Sequence, residues 1–414
     1  MARIVFIGDD FTGASDTLAT LAERGAKVRL FLDAPDEDEA QGLDAVGIAT
    51  DLRSRTPGEI AARLSALAPA IGRLSPRFVH YKVCSTFDSA PHIGSIGAAV
   101  NALEAALAPS RTIVLGGQPS LGRYCMFGTL FARTPDGETY RIDRHPIMSR
   151  HPVTPMGEAD LRIHLGKQGL DGLSLVSRWG SQRDADGAPT LTLRPNRTLV
   201  DAIDQSDVER LGEELRTNDS EAPILLVGAS SVAEALLPTE RSTPQAFPRL
   251  AWSSGSVLAI AGSRSSMTAA QVAAAVGYER LPLGREDLVR PAQIAARCAG
   301  LLKAEAHVMV HLQPDLDYGQ SPTALSDWLA RLTRLILSQH PAAGVAVAGG
   351  DTSSAVVEQL GFRSLSFVER AGAGVAICQG HLAGSPVDGT ILLLKGGQVG
   401  DVALFDRFAA RFRP

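Results

Sequence analysis

The sequence opens with Ile4-Val-Phe-Ile7 and continues directly into Gly8-Asp-Asp-Phe-Thr-Gly-Ala-Ser15, the stretch that decides the fold class. Four consecutive apolar residues are typical of a strand that is buried on both faces of a parallel sheet. A polar loop follows, and apolar residues then recur at helical spacing from Ala14 to Ala22, with Gly25 as a suitable stop. The pattern therefore predicts a strand, a loop and a helix in that order.

The same unit recurs along the chain, because short apolar runs alternate with helical patterns. Further strands are predicted at 28–32, 45–48, 78–83, 112–115, 224–227, 257–261, 308–312, 345–348 and 391–394, and helices at 57–67, 93–107, 158–165, from about 268, and at 322–338. Alternation at this spacing predicts an α/β fold, in which a mostly parallel sheet is flanked by helices.

Two segments interrupt the pattern. Residues 116–157 are rich in Gly, Pro, Arg and His, and are expected to form long loops or an irregular excursion from the α/β pattern. Long ordered loops in compact enzymes are often functional. Residues 237–256 carry three prolines and several serines, and are the best candidate for a linker. We therefore predict two α/β domains, 1–240 and 250–414, with the active site in the cleft between them.

The composition excludes several classes of protein. The net charge of −5 offers no basic excess to neutralise a nucleic-acid backbone. No apolar run approaches the roughly 20 residues of a membrane helix, and the N-terminus lacks the pattern of a signal peptide. The four cysteines are scattered, without a Cys-x-x-Cys pair, as expected of reduced thiols. The sequence thus predicts a cytoplasmic protein that binds neither nucleic acid nor membrane.

The first loop carries a pair of carboxylates, Asp9 and Asp10. Its glycines have the spacing of a phosphate-binding loop, but Ala14 stands where that loop needs Lys, and two carboxylates would repel phosphate. A G-x-G-x-x-G dinucleotide turn is also missing. Carboxylates can instead accept hydrogen bonds from a polyol and take up a proton, so this loop is predicted to bind hydroxyl groups. The alternative is that one Asp caps the helix and the other is solvated.

Three cations lie at or just beyond predicted strand ends in the first half, namely Arg53, Lys82 and Arg123. In open α/β sheets, ligands bind at the carboxyl ends of the strands. Together these cations could clamp a carboxylate, Arg through a fork of N–H groups and Lys as a point charge. Taken singly, each could also be an ordinary surface charge.

Loops of another kind follow strands in the second half: Gly262-Ser263, Gly349-Gly-Asp-Thr352 and Lys395-Gly-Gly397. Glycine lets the backbone approach a ligand, and helix N-termini present N–H groups to anions. Here Asp351 could hold ribose or Mg²⁺, and Lys395 could offset phosphate charge. Each loop alone could be a tight turn, but three together predict a nucleotide site, and hence phosphoryl transfer to a small polar anion.

These segments resemble the four-carbon acid sugar kinases, a bacterial family that includes D-threonate, D-erythronate and 3-oxo-tetronate kinases. The similar segments keep their order along the chain: 8–17, 50–53, 82–86, 119–128, 151–155, 200–202, 227–231, 261–263 with 268–271, 349–352 and 395–400.

The resemblance implies ATP-dependent phosphorylation of a small sugar acid in carbohydrate metabolism, with the acid bound by the first domain and Mg-ATP by the second. With the cations above, the predicted substrate-binding residues are Asp10, Arg53, Lys82, Val83, Cys84, Ser85 and Arg123. Asp10, or Asp9 in second place, is the predicted base. The predicted ATP-binding residues are Ser263, Gly349, Gly350, Asp351, Thr352, Lys395, Gly396, Gly397, Gln398 and Val399.

The chain also departs from the family pattern. Cys84 stands where members commonly carry Asp, Phe87-Asp-Ser89 replaces Leu-Arg-Gly, and Val399 replaces Phe. Because the departures at 84 and 87–89 lie in the substrate half, a branched or 3-oxo acid is as compatible with the sequence as a plain tetronate, whereas the change at Val399 leaves the glycines of the ATP loop in place. The rival functions are an NAD-dependent hydroxy-acid dehydrogenase and a sugar-acid binding protein without catalysis. The sequence leaves open the metal ligands and whether the protein is a homodimer.

Overall fold

The structure is a computed structural model that describes residues 4–134, 136–178, 182–183, 189–190, 193, 196–217, 220–237, 252, 254–372 and 374–412. The predicted linker at 237–256 lies largely outside these residues. Contacts divide the chain into two compact units, Met1–Val28 with Asp33–Gln245, and Arg29–Leu32 with Ala246–Pro414. One short segment of the first half thus groups with the second unit, which the sequence pattern did not indicate.

The described strands are β1 (Ile4–Gly8), β2 (Val28–Phe31), β3 (Ala45–Ala49), β4 (Phe78–Lys82), β5 (Arg111–Gly116), β6 (Arg123–Met126), β7 (Thr129–Arg133), β8 (Thr139–Arg141), β9 (Ser174–Val176), β10 (Gln182–Arg183), β11 (Pro189–Thr190), β12 (Asn196–Asp201), β13 (Ile224–Gly228), β14 (Val257–Ala261), β15 (Tyr278–Pro282), β16 (His307–His311), β17 (Gly344–Ala348), β18 (Ser364–Gly372), β19 (Val375–His381) and β20 (Ile391–Lys395). The described helices are α1 (Phe11–Glu23), α2 (Pro57–Arg73), α3 (Ile96–Leu107), α4 (Leu161–Gly166), α5 (Gln205–Thr217), α6 (Ser231–Leu236), α7 (Ser266–Ala274), α8 (Pro291–Lys303), α9 (Pro322–Gln339), α10 (Gly350–Leu360) and α11 (Leu404–Ala409).

The first unit is built on parallel strands in the order β3-β1-β4-β13-β5-β12-β9. Strand β1 is buried along its whole length, as its continuous apolar run predicts. In the register, Gly8 lies opposite Ala49 on one side and Lys82 on the other. The loops that follow these three strands therefore leave the sheet at the same edge, and the predicted α/β fold is confirmed.

Residues 116–157 interrupt the α/β pattern, but they are not simply loops. They contain an antiparallel sheet, β6-β7-β8, in which Arg123 pairs with Ala132 and Ala132 with Tyr140. Its inward face buries Cys125, Leu130 and Ala132. The strands have only three to five residues each, so their period-two alternation is too short to stand out in the sequence.

The second unit joins parallel and antiparallel strands, in the order β15-β16-β14-β17-β20-β19-β18-β2. The five strands from β15 to β20 in this order are parallel, whereas β19 pairs antiparallel with β20 and with β18. Strand β2 pairs antiparallel with β18, which places Leu30 opposite Leu365. A core that includes Met309, Phe405 and Phe408 lies against this sheet. None of the described helices is long and apolar enough to cross a membrane.

Candidate functional site

The first predicted site forms where β1, β3 and β4 end. The Asp9 backbone N–H donates to the Lys82 carbonyl at 3.0 Å, and the Asp9 carbonyl accepts from the Arg53 N–H at 2.8 Å. Arg53 itself lies in a 3-10 turn, Leu52–Ser54, directly after β3. The backbone therefore fixes the carboxylate, the guanidinium and the lysine at one edge of the sheet.

The side chains of this edge form a buried ion-pair cluster. Arg53 donates to both oxygens of Asp9, from Nη2 at 2.7 Å and Nε at 3.2 Å, and from Nη1 to Asp10 at 2.9 Å. Burial raises the pKa of Asp9 to about 6, although the charge of Arg53 opposes this shift. Burial also disfavours the charged form of Arg53, but Asp10 and Asp9 outweigh it and raise the Arg53 pKa.

Asp10 is at once the N-cap of α1 and part of the ion-pair cluster. Its carboxylate accepts from the Gly13 N–H at 2.8 Å and from the Thr12 hydroxyl at 2.8 Å. Burial would raise the pKa of Asp10, but the charges of Arg53 and Lys82 overcome that effect and lower it. The carboxylate is therefore ionised, and 23% of its side chain stays exposed, compared with 6% for Asp9.

Lys82 completes the positive side of the cluster. It is buried, and its Nζ donates to the Val83 carbonyl at 2.9 Å. A Cβ added at Gly13 would lie 2.8 Å from the Lys82 Nζ and 2.4 Å from Asp10 Oδ1, so only glycine leaves room for these groups at the start of α1. Val83 is buried, whereas Cys84 and Ser85 are half-buried.

The turn after β4 adds a carboxylate that the sequence analysis did not single out. Asp88 is buried and accepts from Thr86 Oγ1, which lies 2.9 Å from the Cys84 sulfur. Burial and the charge of Asp88 raise the pKa of Cys84 to about 11, so the group is a thiol at neutral pH. Asp88 also contributes to the raised pKa of Arg53. The sequence feature that could have pointed to Asp88 is the departure from the family pattern at 87–89.

Arg123 has other partners than the ion-pair cluster. It begins β6, and its Nη1 donates to the Leu121 carbonyl. Burial lowers the pKa of the nearby His145 imidazole, and the charge of Arg123 adds to that shift. The structure thus brings Asp9, Asp10, Arg53 and Lys82 together and places Arg123 in the small antiparallel sheet.

The second predicted site lies in the second unit, where β14, β17 and β20 end. The N–H groups of Gly262 and Ser263 both donate to the Ala348 carbonyl, and the Gly349 N–H donates to the Lys395 carbonyl at 2.9 Å. The three predicted glycine loops therefore meet at neighbouring strand ends. A Cβ at Gly397 would lie 2.6 Å from Ser263 Oγ, which shows how closely two of the loops approach.

Lys395 lies beneath the last of these loops and is fully buried. Its Nζ donates to Thr268 Oγ1 at 3.1 Å and to the Gly397 carbonyl at 3.2 Å. Burial lowers the Lys395 pKa to about 8. The lysine therefore supports the shape of the loop from within.

Two side chains of α7 hold the same loop, and the sequence analysis missed their role. Thr268 donates to the Gly397 carbonyl at 2.9 Å, and Gln271 Nε2 donates to the carbonyls of Val399 and Asp401. Both side chains are buried. The sequence feature that could have pointed to this role is their spacing, since they lie one helical turn apart just after a predicted loop.

Gly349 caps α10 with a φ of 124°, a conformation that favours glycine. Gly350 is half-buried, Asp351 is exposed in the first turn, and Thr352 is buried, with its hydroxyl 3.2 Å from that of Ser326. The free N–H groups of such a turn suit a phosphate, and one carboxylate beside phosphates suits Mg²⁺. Among the described residues, no group of three or more His, Cys, Asp or Glu side chains could hold a metal by itself.

The chain matches the models of two known protein domains. Residues 4–236 match the model of a sugar-binding N-terminal domain, and residues 258–405 match that of a nucleotide-binding C-terminal domain. A 3-oxo-isoapionate kinase of Paraburkholderia graminis is 32% identical, over 97% of this chain and 93% of its own. A 3-oxo-tetronate kinase of Cupriavidus necator is 31% identical, over 97% of this chain and 95% of its own.

Solved structures share the fold over the full length. A crystal structure of a Haemophilus influenzae protein is similar with a TM-score of 0.74 and 25% identity, over 99% of this chain and 100% of that one. Another, from Salmonella typhimurium LT2, has a TM-score of 0.79 and 24% identity, over 100% of both chains.

Proposed function

Because this chain belongs to the four-carbon acid sugar kinase family, it phosphorylates a hydroxyl group of a small sugar acid, and we propose that ATP is the donor and a 3-oxo sugar acid the acceptor. The observation that carries the proposal is the ion-pair cluster of Asp9, Asp10 and Arg53 at the carboxyl ends of parallel strands. We assign the acid to the first unit and the nucleotide to the second, which the descriptions of the two matching domains support.

In the first unit, Asp10 is proposed as the general base. It is the more exposed of the two carboxylates and remains ionised, so it can receive the proton of the acceptor hydroxyl as that oxygen attacks the γ-phosphorus. Asp9 is too buried for this role and instead fixes Arg53. Lys82 and the half-buried Cys84 and Ser85 lie at the same edge, where they can contact the polar groups of the acid.

In the second unit, the proposed nucleotide-binding residues are those of the three glycine loops. The start of α10, from Gly349 to Thr352, offers backbone N–H groups to the phosphates. Asp351 is the carboxylate proposed for Mg²⁺, whose chemistry is to neutralise charge on the transferred phosphoryl group. Lys395, Thr268 and Gln271 donate hydrogen bonds to carbonyls of the loop from Gly396 to Val399.

The names of the relatives support a 3-oxo acid as the acceptor. One is a 3-oxo-isoapionate kinase and the other a 3-oxo-tetronate kinase, and each matches almost the entire chain. The neutral thiol at position 84, where the family commonly carries Asp, and the Asp88 carboxylate, where it carries Arg, change the charges of this part of the site. We therefore place 3-oxo-isoapionate first among the acids to be tested, and 3-oxo-tetronate second.

The test is an ADP-release screen of the purified protein with Mg-ATP against both 3-oxo acids, D-threonate, D-erythronate and five-carbon sugar acids. We expect turnover of a 3-oxo acid, and phosphate in the product by mass spectrometry. Turnover of a plain tetronate alone would contradict the proposed acceptor. Acid binding without any response to nucleotide would favour a binding protein, and NAD-dependent oxidation of the acid would favour a dehydrogenase.

A further inference from the structure

The turn that follows β4 is held by three buried polar side chains, Ser89, His164 and Gln168. His164 lies in α4, and Gln168 comes one helical turn later, so both side chains lie on the same side of this segment. Gln168 Nε2 donates to Ser89 Oγ at 2.8 Å, and Ser89 Oγ lies 2.9 Å from His164 Nε2. The three side chains therefore form one connected group, which we call the turn network.

The turn network fixes the backbone at Phe87. This residue has a φ of 54°, in the left-handed region that bulky side chains rarely adopt. Its carbonyl accepts from the Ser89 hydroxyl at 2.9 Å, and His164 Nε2 lies 3.1 Å from the same oxygen. Because a carbonyl can only accept, the second contact needs the proton on Nε2. Backbone strain of this kind persists only where the surroundings determine it, and here two buried donors do so.

Gln168 also provides an acceptor for the start of α3. Its Oε1 accepts from the Ile96 N–H at 2.8 Å and from the Gly97 N–H at 3.3 Å, and Ser95 Oγ accepts from the Ala98 N–H at 3.2 Å. A Cβ at Gly97 would overlap the Gln168 carbonyl oxygen, so only glycine lets α3 begin this close to it. These N–H groups of the first turn of α3 are therefore used within the protein and are not offered to the acid.

The turn that contains Phe87 begins at the proposed acid site. The Phe87 N–H donates to the Cys84 carbonyl at 3.0 Å, which closes a turn directly after Val83. Cys84 and Ser85 belong to this turn, so their orientation depends on the conformation at Phe87.

The same segment returns to the turn that carries Arg53. The Gly94 N–H donates to the Arg55 carbonyl at 2.9 Å, and a Cβ at Gly94 would lie 2.5 Å from the Arg53 carbonyl oxygen. Burial lowers the pKa of Arg53, but the carboxylates of the ion-pair cluster outweigh that effect, and Asp88 adds to the rise. The segment from 84 to 94 therefore lies against the ion-pair cluster.

We infer that Ser89, His164 and Gln168 are positioning residues, which set the turn from Cys84 to Phe87 for recognition of the acid. The inference rests on the proposed function and assigns part of its specificity to a buried network that holds the binding turn. Ser89, which bonds to Gln168 and to the Phe87 carbonyl, stands where the family commonly carries Gly, which has no hydroxyl. The turn network is thus a feature by which this chain can differ from other members in the acid that it accepts.

The turn network should act on binding of the acid and not on proton transfer. The proposed base, Asp10, has partners of its own in Arg53, Thr12 and the Gly13 N–H. A displaced turn loses contacts that the acid makes in both the ground state and the transition state, which raises KM and leaves kcat nearly unchanged. A general loss of stability would not separate the two constants in this way.

The experiment compares kcat and KM for the best acid of the ADP-release screen, and the KM of ATP, in the full-length protein. Ser89→Ala and Gln168→Met are each expected to raise the KM of the acid about 10-fold, with kcat and the KM of ATP changed by less than about threefold. His164→Gln keeps a donor near Nε2 and should raise the KM of the acid less than His164→Leu. Thr112→Val is the matched control, because it removes a buried hydroxyl that donates to Glu104 of α3 at 2.6 Å, at the amino end of β5 and hence at the opposite edge of the sheet from the acid.

Thermal unfolding checks that each variant folds, and Ser89→Ala, the smallest change, decides the question if Gln168→Met does not fold. An unchanged KM of the acid in folded Ser89→Ala would overturn the inference and leave the kinase intact. A KM of the acid raised equally in Thr112→Val, or a lower kcat without a change in KM, would overturn it too. A wild-type protein that turns over no acid, and is not stabilised by any, would instead overturn the proposed function and this assignment with it.

Discussion

The Arg53 guanidinium donates to both carboxylate oxygens of Asp9, at 2.7 and 3.2 Å, and its remaining Nη1 reaches Asp10 at 2.9 Å. One cation thus holds two neighbouring carboxylates that would otherwise repel each other. Because both acids are at the carboxyl end of β1, the arginine, together with Thr12 and the Gly13 N–H, orients the proposed base.

Removal of this arginine should therefore damage turnover more than substrate affinity. We expect Arg53→Ala to lower kcat at least about 10-fold, because Asp10 loses a partner that orients it. The free energy of unfolding should fall by about 2 kcal/mol, less than for a fully buried pair, since 26% of the Arg53 side chain is exposed. Steady-state kinetics and urea unfolding measure the two effects. Arg53→Lys should recover part of both, and an effect on the KM of the acid alone would contradict a positioning role.

The two aspartates should respond differently to substitution. Asp10→Asn is expected to lower kcat about 100-fold or more at every pH, the usual scale for loss of a general base. Asp9 has a pKa raised to about 6, so it gains a proton as the pH falls through that value and binds Arg53 less well. In the wild type, kcat/KM for the acid should therefore decrease below pH 6, and Asp9→Asn should remove that pH dependence.

A pH–rate profile from pH 5 to 8 tests this assignment, with a separate check that the substrate does not decompose over this range. Near-normal turnover of the Asp10→Asn variant would show that Asp10 is not the base. If the decrease below pH 6 persists in Asp9→Asn, another group is responsible for it.

Two adjacent glycines of the last loop form a matched pair. At Gly397, an added Cβ would lie 2.6 Å from Ser263 Oγ, whereas at Gly396 the nearest atom is Val399 Cγ2 at 3.8 Å. We expect Gly397→Ala to separate the two loops and raise the KM of ATP about 10-fold, and Gly396→Ala to have less than about a twofold effect. Isothermal titration with a non-hydrolysable ATP analogue measures the affinities. Equal affinities of the two variants for the analogue would show that the nucleotide does not bind at this loop.

Much of this architecture could be predicted from the sequence because the decisive signals were local. The apolar run before Gly8 indicates a buried parallel strand. The glycine loops after other apolar runs indicate where such strands end. The positions of β6 to β8 could not be predicted in the same way, since these strands are short and form a small antiparallel sheet of their own. The placement of β2 in the second unit depends on pairing with β18, more than 300 residues away in the chain, and no local pattern records it.

The sequence predicted which residues belong to the first site better than it predicted their side-chain contacts. Asp9, Asp10, Arg53 and Lys82 follow strands that proved to be neighbours, so residue type and strand order sufficed to bring them together. The saturation of Arg53 by two acids could not be predicted, because it depends on side-chain geometry. The roles of Thr268 and Gln271 were missed for the same reason, since each acts on a carbonyl about 130 residues away.

Lys395 should couple nucleotide binding to proton uptake. Its amine is fully buried, and burial lowers its pKa to about 8, so at pH 8.5 much of it is neutral in the free protein. Bound phosphates would favour the ammonium form and raise that pKa, so nucleotide binding at pH 8.5 should take up protons. Titration calorimetry in two buffers of different ionisation enthalpy measures the number of protons. Lys395→Met should abolish the uptake, while Lys303→Met, which removes an exposed lysine of the same unit, should leave it unchanged. Equal uptake in wild type and Lys395→Met would show that the lysine does not sense the phosphates.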